Sequence, residues 1–473
     1  MKSQFNEDWV MFSPIFWFVF VVSLLGSLIF VGRGETLPAG QETEQDELAY
    51  LPSIKNEPTY TPTFTPTPTS TPTATPTFTP TPTPLAGFEP EVRGMWVSRF
   101  DWTSSFSGAQ PEKIDEIVDN AALAGINLIY FQVRGTADAF YTPGLEPWSQ
   151  RLSGNELGDN PGWDPLARLI EKAHAENIQV HAYLNIYPVW FGCDTPKSGT
   201  SPQHLFHQLD QAHIGGVTDV LQQSQFGTVY GADCENIEYR RVSPASGYFD
   251  DHVLAVTQDL IDRYDLDGVH LDHIRYGARG ASYDPVSEQA YALESSQFER
   301  ADWQRRQVNG TVNKFYDLVV AAEKDLWLSA AVWPLYVDYW GWGAGEGYYD
   351  YYQDSKEWAQ QGYIDSISPM IYPGSFNCPD NSFWTLDRWE TLVRDFQATS
   401  GERYVVPGIG TGYCSFSEIE NRINLAREIG TVGHSLFSYK SLLQEENGKS
   451  YFELLREGPY QNDVPVPEFN WHN

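Results

Sequence analysis

Short apolar runs and amphipathic stretches alternate along the C-terminal bulk of this chain. Runs rich in β-branched and aromatic residues, bounded by glycine, proline or polar clusters, read as strands. They lie at 92–100, 127–133, 179–187, 268–276, 328–335, 366–372, 404–410 and 434–439. Helical patterns lie between and after them at 111–124, 164–176, 250–264, 302–324, 352–361, 384–399, 417–429 and 441–456. Pro111 stands in the first turn of the first of these, where its missing N–H costs nothing. Strand–helix alternation predicts a parallel sheet. Eight such units predict an α/β fold of the (β/α)8, TIM-type barrel kind over residues 88–460, with 461–473 as a tail. A doubly wound open sheet also alternates in this way, but no G-x-G-x-x-G follows the first strand.

The N-terminal part has other patterns. Residues 9–32 carry no charge, enough for one membrane span at about 20 residues, and no A-x-A-like cleavage site stands close behind. Residues 1–33 are therefore expected to be an uncleaved signal anchor. Residues 34–87 read as a disordered linker, acidic at first and then built on a Thr-Pro repeat over 58–84. Such a repeat excludes helix and central strand, and favours an extended stalk on the order of 80 Å at ~3.1 Å per residue. Anchor and stalk together suit a single-pass protein of the cell membrane whose main domain is extracytoplasmic. Charge does not set the orientation, since Lys2 and Arg33 flank opposite ends.

A formal net charge of −33 argues against nucleic acid and anionic lipid surfaces as partners, leaving membrane contact to the N-terminal segment. No motif calls for a cofactor, and the sequence sets no oligomeric state. Cys193, Cys234, Cys378 and Cys414 lack C-x-x-C spacing. Local pairing favours Cys193 with Cys234 and Cys378 with Cys414, and four free thiols in a reducing compartment is the other reading.

Candidate chemistry concentrates at 267–276, DGVHLDHIRY, where Asp272 puts a carboxylate into a run that reads as a buried strand. His270 and Asp272 are two apart and share a face. In a TIM-type barrel, active sites form at the C-terminal strand ends. There the sequence offers Arg99 and Asp101 from strand one, Arg134 and then Asp138 from strand two, and His181, Tyr183 and Asn185 from strand three. Strand four adds His270, Asp272 and Arg275, strand five Trp333 and strand six Tyr372. Aromatic residues make up 15% of the chain, and Trp102, Trp148, Trp163, Trp190, Trp340 and Trp342 all fall in loops on that face. Gathered around acidic groups, they suit the stacking of sugar rings. The bland reading is a structural ion pair at a strand end with ordinary aromatic packing.

Several stretches taken together resemble the glycosyl-hydrolase-like family 10 domain. They are RGMWVSRFDW at 93–102, FQVRGTADAFY at 131–141, VHAYLNIYP at 180–188, GVHLDHIRY at 268–276 and EWAQQGYIDSISPMIYPG at 357–374. The resemblance implies a barrel similar to glycoside hydrolases, some relatives of which act on bacterial cell-wall glycan. The family's fourth-strand motif usually has two consecutive acidic residues. Asp272 matches the first, and His273 stands in place of the second.

Glycoside hydrolysis needs two carboxyl groups, one to protonate the leaving oxygen and one as nucleophile or base. Asp272 is expected in the second role, kept ionised by Arg134 or Arg275, and Asp138 is the candidate acid ahead of Asp101, Asp338 and Glu346. Arg134, His181, Asn185, His270, Arg275, Trp333 and Tyr372 are the expected substrate-binding residues. The expected activity is that of a cell-surface glycoside hydrolase acting on a carbohydrate polymer such as cell-wall glycan. The alternative is a catalytically silent carbohydrate-binding barrel. A zinc site from His181, His270, Asp272 and His273 has suitable ligand types, but alternation turns His273 away from the others.

Overall fold

The computed structural model describes residues 90–472, apart from 105–106, 236, 375–382 and 470. The expected anchor at 1–33 and linker at 34–87 lie outside the described residues, as does Cys378. Among the described residues, no helix is long and apolar enough to cross a membrane.

Eleven strands carry the architecture. They are β1 Val92–Val97, β2 Leu128–Arg134, β3 Gln179–Asn185, β4 Pro188–Phe191, β5 Tyr239–Arg241, β6 Gly268–Asp272, β7 Trp327–Val332, β8 Ser366–Pro369, β9 Tyr404–Val405, β10 Gly408–Gly410 and β11 Gly433–Phe437. Nine form one curled, all-parallel sheet in the order β10-β11-β1-β2-β3-β6-β7-β8-β9. β9 and β10 flank Pro407, which has no N–H to give to a ladder. Val406 N donates to Ile367 O of β8 at 3.0 Å, whereas Pro407 O accepts from Ser435 N of β11 at 3.0 Å. The stretch 404–410 thus pairs with β8 through its first half and with β11 through its second, which gives the sheet its barrel-like form.

The helices follow from their caps. Pro111–Ala124 (α1) ends at Gly125, whose φ of 78° is the left-handed conformation that glycine adopts freely. Asp164 accepts from the amides of Leu166 and Ala167 to open Pro165–Ala175 (α2). Gly247–Arg263 (α3), Arg300–Ala321 (α4), Ser355–Gln361 (α5), Leu386–Gln397 (α6) and Phe416–Ile429 (α7) complete the alternation. The last expected helix, 441–456, is not continuous. Tyr439–Leu442 and Tyr451–Glu457 flank a two-residue hairpin turn at Asn447-Gly448, where φ is 54° and 76°. Asn-Gly is a strong hairpin dipeptide and overrides the helical spacing around it.

Most strand residues are buried on both faces, which is why the runs read as nearly unbroken. One apolar cluster joins Val92, Trp96, Leu128, Tyr130, Tyr183, Trp327 and Val406. Val466 and Phe469 from the C-terminal segment pack against it, and Trp471 Nε1 and His472 Nε2 both bond Asp365 Oδ1, at 2.6 and 2.8 Å. Val466, Phe469, Trp471 and His472 therefore cover the N-terminal end of the strands, opposite the candidate site.

Candidate active site

The C-terminal ends of β3 and β6 lie side by side, with Asn185 in register with Asp272. The Asp272 carboxylate accepts from the Tyr183 hydroxyl at 2.7 Å, from the His273 amide at 2.5 Å and from Arg275 Nη1 at 3.2 Å. Burial opposes its charge, but the Arg275 guanidinium and these hydrogen bonds outweigh burial and hold Asp272 well below the usual carboxylate range. It is an ionised carboxylate with little solvent around it. Asn185 beside it is buried, and its Oδ1 has no partner among the described residues. Tyr372 is close enough to feel Asp272 and Arg275, and Trp333 lies beneath the Arg275 guanidinium at 5.5 Å. Asp272, Asn185, Arg275, Trp333 and Tyr372 are thus brought to one mouth.

Three expected substrate contacts are corrected. His270 is fully buried one layer below Asp272. Its Nε2 accepts from the Trp96 indole N–H at 2.9 Å, so its proton sits on Nδ1, 2.8 Å from Ser329 Oγ. Burial pushes this imidazole down to about 3, and both nitrogens are committed, leaving none for sugar or metal. His181 lies lower still, opposite Gly268, packed edge-on to Tyr130 and fully buried. Arg134 is also fully buried. It grips Glu146 at 2.8 Å and the carbonyl of Ile186 at 2.8 Å, and it bonds the carbonyl of Asn185 as well. His252 completes that cluster on Glu146 at 3.1 Å. Arg134 therefore fixes the backbone leaving β3, and Arg275 is the arginine that pairs with Asp272.

Asp138 follows β2 in a turn where its Oδ1 accepts from Thr136 N at 2.7 Å. Gly135 lets it approach Arg99, since a Cβ there would lie 3.0 Å from Asp138 Oδ1 and 3.1 Å from Arg99 Cδ. Arg99 lies within electrostatic reach of Asp138 and Tyr183, which links the turn to Asp272. Arg99, Phe100, Thr136, Asp138, Trp190 and Tyr239 line a cleft on this side. Of the other candidate acids, Asp101 caps its own turn, accepting from Ser98 N at 2.6 Å and Ser438 Oγ at 2.7 Å. Asp338 accepts from the amides of Trp342 and Gly343 and shapes the tryptophan loop. Glu346 lies in the same loop, and burial raises its carboxyl.

The profile of the family described as glycosyl hydrolase-like 10 matches residues 91–395, well over half of the chain. The chain belongs to the glycosyl hydrolase-like 10 family. That span contains Asp138, Asn185, Asp272, Arg275, Trp333 and Tyr372. Glycosyl hydrolase YngK of Bacillus subtilis (strain 168) is 28% identical over 407 residues, covering 80% of this chain and 74% of that protein. Glycosyl hydrolase DigH of Escherichia coli (strain K12) is 28% identical over 311 residues, covering 59% of this chain and 65% of that protein. The glycoside hydrolase domain of PgaB (BpsB) from Bordetella bronchiseptica superposes with a TM-score of 0.53 at 13% identity, over 78% of this chain and 98% of that domain. At that identity the likeness is one of fold.

Within this member of the glycosyl hydrolase-like 10 family, sequence reasoning missed Tyr239 and Arg241. Both lie on β5, far from any barrel strand end in the chain. β4 and β5 pair antiparallel, and Cys193 is bonded to Cys234 across the loop between them. Cys414 is also disulfide-bonded. No local motif marks β5 as part of the mouth, because the long excursion after β3 brings it there.

Proposed function

We propose that this barrel hydrolyses glycosidic bonds in a polysaccharide, such as cell-wall glycan, with Asp272 as nucleophile or base and Asp138 as acid. The observation that carries the reading is Asp272 itself: buried, held ionised, at a strand end, and flanked by an unpaired amide oxygen and aromatic faces. An ionised carboxylate beside a buried acceptor with no partner among the described residues is typical of sites that bind and polarise a ligand. Membership of a glycosyl hydrolase-like family supports the same substrate class. The test is product analysis after incubating the full-length protein with peptidoglycan glycan and a panel of polysaccharides. New reducing ends that vanish in the Asp272→Asn variant are expected. Retained binding without any cleavage would instead establish a silent carbohydrate-binding barrel, a reading favoured by His273 standing where a second acid is usual.

We also propose that residues 1–33 anchor the chain in the cell membrane and that the Thr/Pro stalk holds the barrel outside. The charge-free run at 9–32 and the repeat at 58–84 support this. Protease added to intact cells should release the barrel, and resistance of the barrel in intact but not lysed cells would place it inside.

A further inference from the structure

We propose that Arg99, Arg241 and Arg275 form a subsite for a carboxylate carried by the sugar polymer, so that the preferred glycan is an acidic one. The inference rests on the glycan reading above and names its substrate class. The chain carries a net charge of −33, yet three guanidiniums gather beside Asp272, all of them acting on the His273 ring. Each is braced. Arg99 lies over Phe100 at 4.2 Å and donates to the Tyr239 hydroxyl at 2.5 Å. Arg241 donates to the Tyr239 carbonyl at 3.2 Å and passes so close over Gly277 that a Cβ there would lie 2.7 Å from Nη1. Arg275 lies over Trp333 at 5.5 Å. Braced guanidiniums lose little entropy on binding and match carboxylates in a bidentate fork.

Their counter-charges are incomplete. Arg275 meets Asp272 at 3.2 Å, but Arg241 reaches Glu238 only at 4.0 Å, and Arg99 has no ion pair among the described residues. Burial raises the Glu238 carboxyl and Arg241 lowers it. Residue 273 explains the surplus. His273 sits at φ 50°, with its ring against Tyr239 at 5.2 Å and a buried Nδ1 that has no partner among the described residues. Burial and the three arginines keep that ring uncharged, pushed down to about 3. An acid at 273 would neutralise the arginines from within the protein. A neutral histidine leaves their donors to the ligand, while Tyr351 packs on Trp333 at 4.0 Å and holds the ring under Arg275 in place.

Two arms test this on the full-length protein. Calorimetry compares glucuronate, galacturonate and N-acetylmuramate with glucose, galactose and N-acetylglucosamine. At least one acid should bind about tenfold or more tighter than its neutral partner, a preference that weakens with salt. His273→Asp and Arg241→Met should each bring that ratio close to one, with Arg241→Lys between. The second arm compares kcat/KM on acidic polymers and on the same polymers with carboxyls reduced to alcohols, a change in the ligand that no misfolded variant can confuse. Equal affinity for acid and neutral sugars overturns the subsite. Equal cleavage of native and reduced polymer also overturns it and leaves the hydrolase reading standing. Acid-selective binding with no cleavage of any polymer keeps the subsite and removes the hydrolase.

Discussion

The Tyr183 hydroxyl donates to Asp272 Oδ2 at 2.7 Å, across the neighbouring strands β3 and β6. The bond runs from the interior face of one strand to the end of the next, so it both anchors the carboxylate and stabilises its charge. Asp272 is therefore a structural partner as well as a candidate catalyst, and the two roles separate by measurement. Asp272→Asn keeps Oδ1 for the His273 amide but puts an NH2 group where Oδ2 accepts from the Tyr183 hydroxyl, and it leaves Arg275 without its charge partner. Turnover should fall by about a thousandfold or more, while stability falls by roughly 1–3 kcal/mol. Kinetics and thermal melts on the same preparation decide it. Unchanged turnover with a lowered Tm would leave Asp272 a purely structural anion.

Tyr183→Phe tests the same bond from the other side. The change removes one hydroxyl and leaves the aromatic body in the barrel interior. Losing this donor should raise the Asp272 carboxyl, moving the acid limb of the pH–rate profile upward, with a modest loss of stability of about 1 kcal/mol. A stability loss with an unmoved acid limb would show that the bond does not set the charge of Asp272.

How much of this was legible in the sequence depends on the range of the interaction. Asp272, Asn185, Arg275, Trp333 and Tyr372 come together because each ends or follows a barrel strand, and period-two alternation with the strand-end rule reaches that far. The same rule misplaced His181 and His270, because alternation gives the face of a residue but not its depth in the barrel. Arg134 shows a further limit, since its partner Glu146 lies in an irregular stretch with no periodicity to read. Tyr239 and Arg241 were invisible for the same reason, on a hairpin within the long excursion after β3. Residues 461–473 read only as a tail, although Phe469 and Trp471 pack on the barrel end through contacts some 60 to 140 residues away in sequence, at Tyr404 and Trp327.

That packing predicts a measurable role for the C-terminal segment. Trp471 donates to Asp365, stacks on Phe469 and meets Tyr404 edge-on at 4.8 Å. Trp471→Ala should lower stability by about 2 kcal/mol, less than a fully buried tryptophan because the ring is partly exposed. Cleavage kinetics should change little, since the segment lies at the opposite end of the strands. Urea unfolding checks the first expectation, and an unchanged midpoint would show the contact to be incidental.

The Arg134–Glu146 pair sets an acid limit. Burial opposes the charge of Glu146, but Arg134 and His252 outweigh it and lower the carboxyl from 4.5 to about 2. A carboxyl lower in the folded than in the unfolded state contributes stability above the unfolded value, and that contribution is lost as pH falls. The melting temperature should therefore drop between about pH 4.5 and pH 2. Glu91, also held at about 2, shares the window, so Glu146→Gln should flatten part of the slope and not all of it. At neutral pH the same variant should be destabilised by roughly 3–5 kcal/mol, because Arg134 is left buried and unpaired.

The assignment of Asp138 is the most exposed part of the proposed mechanism. Its Oδ1 is already engaged by Thr136, an arrangement that Asp138→Asn can keep through its own carbonyl oxygen. The variant should therefore fold, with stability within about 1 kcal/mol of the parent. If Asp138 protonates the leaving oxygen, cleavage of an ordinary glycan should fall by about 100- to 10,000-fold. A dinitrophenyl glycoside departs without protonation, so the same variant should cleave it at close to the parental rate. Azide added to the variant distinguishes the two stereochemical courses, since capture of a glycosyl azide of retained configuration points to a covalent intermediate on Asp272. Equal losses on activated and ordinary substrates would remove Asp138 as the acid. Glu346, whose carboxyl burial raises, would then be the next residue to replace, because a proton donor must still be protonated when substrate binds.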